Sequence, residues 1–324
     1  MNVLFDSWQR QINYLRISVT DRCNLDCVYC SGRVSYLPRD EILSYEEIQR
    51  IVQAAAEMGI SKIRLTGGEP LARPEIEKLI QMLSRVDGID DIALTTNGTL
   101  LSKYADELKK AGLRRVNVSL DTLKESRFKS ITGGTLKDVL AGIEAAHRAG
   151  LEPVKINMVV MRGVNDDEVI DFARLTIEKG WHVRFIEFMP MGESKDNHLA
   201  TVPTSEIWEK LKAFGKWEPY SGKTGNGPAR YYRLPGANGT IGFITPMTEH
   251  FCGGCNRLRL TCDGQLRPCL LDDDEINLKA ALRRGADIEE LKQLIQQAVT
   301  IKKEHHHLNE QIAPVKRPMC QIGG

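Results

Sequence analysis

No stretch of this sequence approaches the ~20 consecutive apolar residues that a membrane helix needs. Residues 1–11 also lack the charged-then-apolar layout of a secretory signal. A cytoplasmic protein without a membrane partner is therefore expected. Charge of one sign is missing too: 44 Lys and Arg stand against 43 Asp and Glu. No global field draws such a chain to nucleic acid or lipid, so an anionic ligand would have to be held by a local convergence of cations. The G-x4-G-K-S/T phosphate loop is absent, since Gly222-Lys223-Thr224-Gly225 lacks the upstream glycine at the required spacing. There is no internal repeat or low-complexity segment, which excludes solenoids and arrays.

What is present is an ordinary globular mix of 324 residues, 42% hydrophobic and 27% charged, enough for one large α/β barrel or two domains. Apolar or alternating runs at 15–19, 62–65, 92–95, 115–120, 154–160 and 183–188 predict strands. Helical patterns at 45–58, 74–86, 102–111, 136–149 and 167–179 lie between them. Ser44 followed by Glu47 has the form of a capping box. Gly59, Gly112, Gly150 and Gly180 each follow a helical run, where a left-handed residue closes the helix. About six βα units in series point to a parallel sheet with right-handed crossovers. They are too few for the closed eight-stranded barrel, so a partial, open βα barrel over 1–190 is the expected α/β fold. A doubly wound open sheet has the same periodicity. After 190 the pattern changes to a helix at 204–214, a Gly-rich stretch at 221–228, short strands at 229–234 and 240–244, and helices near 276–283 and 288–303. This predicts a smaller C-terminal α+β unit over 191–324.

Eight cysteines in a chain with no export signal are poor disulfide candidates, and six of them fall in two tight groups. Cys23, Cys27 and Cys30 form C-x3-C-x2-C after the first strand. Three thiolates can hold three irons of a four-iron cubane and leave the fourth open; the x3 gap is unusual for zinc fingers. Farther on come Cys252, Cys255, Cys262 and Cys269, at x2, x6 and x6. Read alone, that group suits a tetrahedral zinc site slightly better than a cluster.

The run Cys23-Asn24-Leu25-Asp26-Cys27-Val28-Tyr29-Cys30 resembles the signature of radical S-adenosylmethionine enzymes. Thr66-Gly67-Gly68-Glu69-Pro70, only a turn when read alone, is similar to the segment that contacts the cofactor's amino group in that superfamily. Thr95-Thr96-Asn97-Gly98 and Ser119-Leu120-Asp121 follow the third and fourth strands, at the mouth where barrel enzymes keep their chemistry. Cys252-x2-Cys255-x13-Cys269 around Asn256-Arg257-Leu258-Arg259 is similar to the second cluster site of the GTP 3′,8-cyclase family, and this overturns the zinc preference. The likeness runs from about Tyr14 to the terminal Gly323-Gly324. Beyond Cys30 the chain reads Ser31-Gly32-Arg33, where the family usually has a hydrophobic residue and proline.

The resemblance implies two 4Fe–4S clusters, one on Cys23, Cys27 and Cys30 and one on Cys252, Cys255 and Cys269, with S-adenosylmethionine against Tyr29, Gly68, Ser119 and Met189. It implies GTP held by Arg16, Arg64, Thr95, Lys155 and the Arg257-Leu258-Arg259 segment. Guanidinium groups suit phosphate because they present paired donors. The implied reaction removes hydrogen from ribose C3′ and joins C3′ to guanine C8, the first step of molybdopterin biosynthesis. Arg257, Arg259, Gly323 and Gly324 are the residues implied to assist it. An external one-electron donor is implied as partner; a homodimer and a downstream cyclic pyranopterin synthase are compatible with this reading. Cys262 is read as a nearby free thiol. His305-His306-His307 is read as surface, because adjacent imidazoles point in different directions around a helix. The competing readings are another radical enzyme with an auxiliary cluster and a non-catalytic iron–sulfur or zinc protein.

Overall fold

The computed structural model describes residues 3–30, 36–189, 199–222, 227–306, 308, 317 and 319–323. Residues 14–119 alternate strictly: β1 (Tyr14–Ser18), α1 (Tyr45–Glu57), β2 (Lys62–Thr66), α2 (Ile76–Ser84), β3 (Asp91–Thr96), α3 (Leu101–Ala111) and β4 (Arg115–Ser119). Then come α4 (Glu125–Thr132), α5 (Leu136–Arg148), β5 (Lys155–Val160), α6 (Val169–Glu178) and β6 (His182–Glu187). The remainder supplies α7 (Thr204–Phe214), β7 (Glu218–Pro219), β8 (Arg230–Arg233), β9 (Thr240–Ile244), β10 (Arg257–Leu260), β11 (Gln265–Arg267), β12 (Ile276–Asn277), α8 (Leu278–Arg283), α9 (Ile288–Thr300) and α10 (Met319–Ile322). None of the described helices is long and apolar enough to cross a membrane.

Local chemistry sets these boundaries. Ser44 Oγ accepts from the Glu47 N–H at 3.1 Å, and the Glu47 carboxylate accepts from the Ser44 N–H at 2.7 Å, so two orphan donors of α1 are satisfied reciprocally. The helix then buries Ile48, Ile51, Val52 and Ala55 on one stripe. Gly59, Gly112, Gly150 and Gly180 all take positive φ, between 66° and 110°, as helix closure requires.

The strands form one sheet in the order β12-β11-β10-β1-β2-β3-β4-β5-β6-β9-β8-β7. From β10 to β9 every pairing is parallel, and antiparallel strands finish both ends. The two end strands do not pair with each other, so the barrel is partial and open. The C-terminal α+β part takes a form that periodicity did not reveal, since β10 docks beside β1 and β9 beside β6, extending the sheet at both edges.

Strand alternation divides the two faces. Leu15, Ile17, Ile63, Leu65, Val116, Val118, Ile156 and Val183 join the core under the helices. The alternate positions, including Arg16, Arg64, Asn117 and Arg184, point to the inner face. A sheet with an apolar outer face and a polar inner face is built around a binding cavity rather than a dry barrel core.

Candidate active site

A cavity of about 330 Å³ fills the inner face, and Cys23, Cys27, Cys30, Cys252, Cys255 and Cys269 all line it. The first group sits in the loop after β1. That loop is pinned to the end of α4 by Asp26 N–H and Val28 N–H, which donate to the Thr132 and Ile131 carbonyls at 2.9 Å each. Burial pushes the Cys23 and Cys27 thiols up, and burial beside Cys320 and Cys23 raises Cys30 to about 12. Crowded thiols that resist ionising are ones that a bound cation would convert to thiolates, so the triad suits a cluster. In the second group burial opposes ionisation of Cys255, but Arg257 and Lys302 outweigh it and bring the thiol down to about 6. Arg257 Nη2 lies 3.7 Å from that sulfur. Cys262 is buried outside the cavity, near Asp21 and Asp263, so the tetrahedral site of four cysteines loses a ligand. Cys320 does line the cavity, on the side of the first group.

The Gly-Gly-Glu-Pro segment divides its work. Gly68 lines the cavity and approaches Arg22 so closely that a Cβ would lie 2.3 Å from the Arg22 carbonyl oxygen. Glu69 turns inward instead. Its carboxylate accepts from Leu71 N–H (3.0 Å), Thr96 Oγ1 (2.7 Å) and Asn97 N–H (2.7 Å), tying the exits of β2 and β3 together, and burial pushes it up to about 7. Ser119, Met189 and Tyr29 line the same side. Tyr29 donates to Asp121 Oδ2 at 2.6 Å, and Asp121 Oδ1 accepts from the Val159 N–H at 2.8 Å. Burial raises Asp121 to about 6. Asp121 was not among the predicted site residues; its place two residues beyond Ser119, at a strand exit, was the available signal.

The opposite wall is cationic. Register places Arg259 beside Arg16 and Arg16 beside Arg64 across β10, β1 and β2. Burial and then Arg257 lower Arg259 to about 10; burial and then Arg259 lower Arg16; burial alone is the chief cause for Arg64. Cations crowded in this way favour an anionic ligand. Among the described residues, Arg64 Nε, Arg184 Nε, Thr95 Oγ1, Asn157 Oδ1 and the Tyr14 hydroxyl have no protein hydrogen-bond partner despite burial. Polar atoms left this way are costly unless a ligand meets them.

Arg257 also lines the cavity, but two of the residues predicted to hold GTP do not. Lys155 is 1% exposed, in the layer behind, where burial and then Arg184, Arg115 and Arg64 hold it down at about 6. Leu258 is fully buried among the core residues, as its place between Arg257 and Arg259 dictates. Arg184 was missed: it lines the cavity and donates to Asn117 Oδ1 at 2.7 Å. Its equivalence to Asn157 in register, on a neighbouring strand, appears only once β5 and β6 are paired. The Gly323 carbonyl accepts from Arg259 Nη1 at 2.6 Å, which brings the tail to the cationic wall. Gly324, Ser31, Gly32, Arg33 and His307 lie outside the described residues. The surface reading of the histidine run needs correction at His306, which is buried and lines the cavity because the chain has left α9 and folds back over the second cysteine group.

Comparison with known proteins places these features in a family. The radical SAM superfamily model matches residues 17–176, and the model for molybdenum cofactor synthesis C matches 181–308. The GTP 3′,8-cyclase of Pelotomaculum thermopropionicum is 54% identical over 98% of this chain and 99% of its own. That of Listeria monocytogenes is 44% identical over 100% of both. Among solved structures, Streptococcus suis SuiB bound to S-adenosylmethionine shares the fold at 15% identity, with a TM-score of 0.64 over 87% of this chain and 68% of its own. The chain belongs to the GTP 3′,8-cyclase family of the radical SAM superfamily.

Proposed function

We propose that this chain converts GTP to (8S)-3′,8-cyclo-7,8-dihydroguanosine 5′-triphosphate, the first step of molybdopterin biosynthesis. The observation that carries the proposal is that both cysteine triads and the arginine row open into one cavity. A reduced cluster with S-adenosylmethionine would supply a radical able to take hydrogen from an unactivated carbon. The chain's own tasks are holding and orienting. Cys23, Cys27 and Cys30 hold the first cluster, while Gly68, Ser119, Met189 and the Tyr29–Asp121 pair frame S-adenosylmethionine. Arg16, Arg64, Arg184 and Arg259 meet the triphosphate, with Lys155 behind them. Cys252, Cys255 and Cys269 would hold a second cluster, which would supply a binding site for the guanine. Arg257 and the Gly323 tail stand near the base and ribose. Such placement matters because reacting atoms must be held near contact distance. The partner implied is an external one-electron donor.

The test is anaerobic reconstitution with iron and sulfide, then dithionite and S-adenosylmethionine, with 5′-deoxyadenosine measured with GTP, with ATP and without nucleotide. A strong rise with GTP alone is expected. Formation indifferent to nucleotide would favour another radical enzyme with an auxiliary cluster. No 5′-deoxyadenosine from fully iron-loaded protein would remove the catalytic reading altogether.

A further inference from the structure

The second cysteine group has little regular structure of its own. Cys252 and Cys255 share one helical turn, and Cys269 lies just beyond β11. Three thiols on loops need an outside frame to keep the spacing of one cluster. Two buried cations reach their backbones. Arg10 is 7% exposed, and its Nε donates to Asp6 Oδ2 at 2.6 Å. Its Nη1 donates to the carbonyls of Cys252 (2.9 Å) and Glu304 (2.7 Å), and its Nη2 to that of Lys303 (2.7 Å). Lys302, 3% exposed, donates to the Arg257 carbonyl at 3.1 Å and to that of Pro268, the peptide preceding Cys269. The N-terminal loop adds Trp8 Nε1, donating to the Lys302 carbonyl at 3.1 Å, and Ser7 Oγ, donating to that of Thr300 at 3.0 Å.

His306 ends this segment, with its backbone N–H directed at the Cys252 sulfur. Its ring is oriented as well. The Leu308 N–H donates to His306 Nδ1 at 3.3 Å, which leaves the proton on Nε2, facing the Pro246 carbonyl and His250 Nδ1 at 3.1 Å each. That tautomer disfavours a divalent-ion site on His250, Cys252 and His306, although their ligand atoms lie within 4.8 Å of one another. A ligating histidine gives its other ring N–H to an acceptor, and here that nitrogen is itself the acceptor.

We propose that residues 302–306 form a strap over the second cluster and that Arg10 is its positioning residue, fixing the direction of Cys252 and the hydrogen bonding of its sulfur. Arg10 by itself touches three pieces of chain at once: the N-terminal loop, the cluster loop and the segment after α9. Only a guanidinium can meet Asp6 and three carbonyls at once; an ammonium keeps the charge but not the fork. Hydrogen bonds to cluster sulfurs and solvent exclusion set cluster potential, so loosening the strap alters the second cluster and leaves the first as it is. The proposal rests on the two-cluster reading above.

The test uses the full chain, reconstituted anaerobically, as wild type, Arg10→Lys, and Asp6→Asn with Arg10→Met, a pair that avoids an orphaned buried carboxylate. Three quantities are read: iron per chain, nucleotide-independent cleavage of S-adenosylmethionine, and the potentials of both clusters by redox titration followed by electron paramagnetic resonance. Wild type should hold about eight irons, and the variants should fall toward about four or carry a second cluster of shifted potential. The first cluster's potential and its cleavage reaction should be unchanged. Variants with full iron and both potentials unaltered would overturn the strap. Loss of both clusters together would assign Arg10 to folding alone and overturn it equally. A wild-type chain that saturates near four irons would sink the two-cluster reading, and the strap with it.

Discussion

Lys155 offers a test of triphosphate binding at the scale of a single residue. Burial and then three arginines hold it at about 6, so at pH 7 it is mostly neutral in the free protein. A triphosphate favours the charged form and raises that value. Binding at pH 7 therefore lies between the free and bound pKa values and takes up a proton. Calorimetry of GTP binding in buffers of differing ionisation enthalpy should show wild type taking up about one proton more than Lys155→Met. The difference should vanish near pH 5, where Lys155 is already charged. Two other substitutions separate cavity from core. Arg184→Ala should weaken GTP binding roughly 10- to 100-fold, the usual loss for a charge-assisted hydrogen bond. Leu258→Ala should cost about 2–5 kcal/mol of stability, measured by denaturant unfolding, and leave GTP affinity intact, since its side chain lies wholly in the core.

At the scale of elements, the site is an effect of register. The three cations of the central row come from three different strands, and in-register parallel pairing lines them up as Arg259, Arg16 and Arg64. The short α10 tail closes that row through the Gly323 carbonyl. Gly323 has φ +74°, and a Cβ there would meet Thr66 Oγ1 at 2.2 Å. Gly323→Ala therefore cannot keep this position, since left-handed backbone alone costs about 1–2 kcal/mol before the clash. Cyclised product should fall roughly tenfold or more, because small misplacements at a reacting centre are costly. Nucleotide-independent formation of 5′-deoxyadenosine should persist. Equal loss of both reactions would show that the tail serves the first cluster instead.

For the whole molecule, the continuous sheet makes the two halves depend on each other. β1 is flanked by β10 and β6 by β9, so a fragment of residues 1–190 would expose two open strand edges and part of the apolar face. Unpaired edges template aggregation rather than independent folding. We expect the full chain to unfold in a single calorimetric transition and the 1–190 fragment to show no cooperative one. A fragment melting on its own would mark 1–190 as an autonomous domain. The balance of 44 basic against 43 acidic residues is likewise resolved only in three dimensions, with cations gathered on the inner wall.

The sequence by itself determined what is local. All six early strands lie within one residue of their predicted limits at either end, because alternation and helix-closing glycines depend on neighbours in the chain. The two cysteine groups and the capping box were legible for the same reason. Tertiary structure alone decided the rest. Arg257-Leu258-Arg259-Leu260 is too polar and short to read as a strand, and it becomes β10 only because β1 offers a parallel partner. Lys155 and Leu258 fit the family pattern, yet only the folded structure shows that neither side chain lines the cavity. Asp121 and Arg184 were left out of the predicted site, and His306 was read as surface, because their roles come from what faces them across the barrel. Periodicity carries information over a few residues, whereas the meeting of the two cysteine groups in one cavity is a contact between segments more than 200 residues apart.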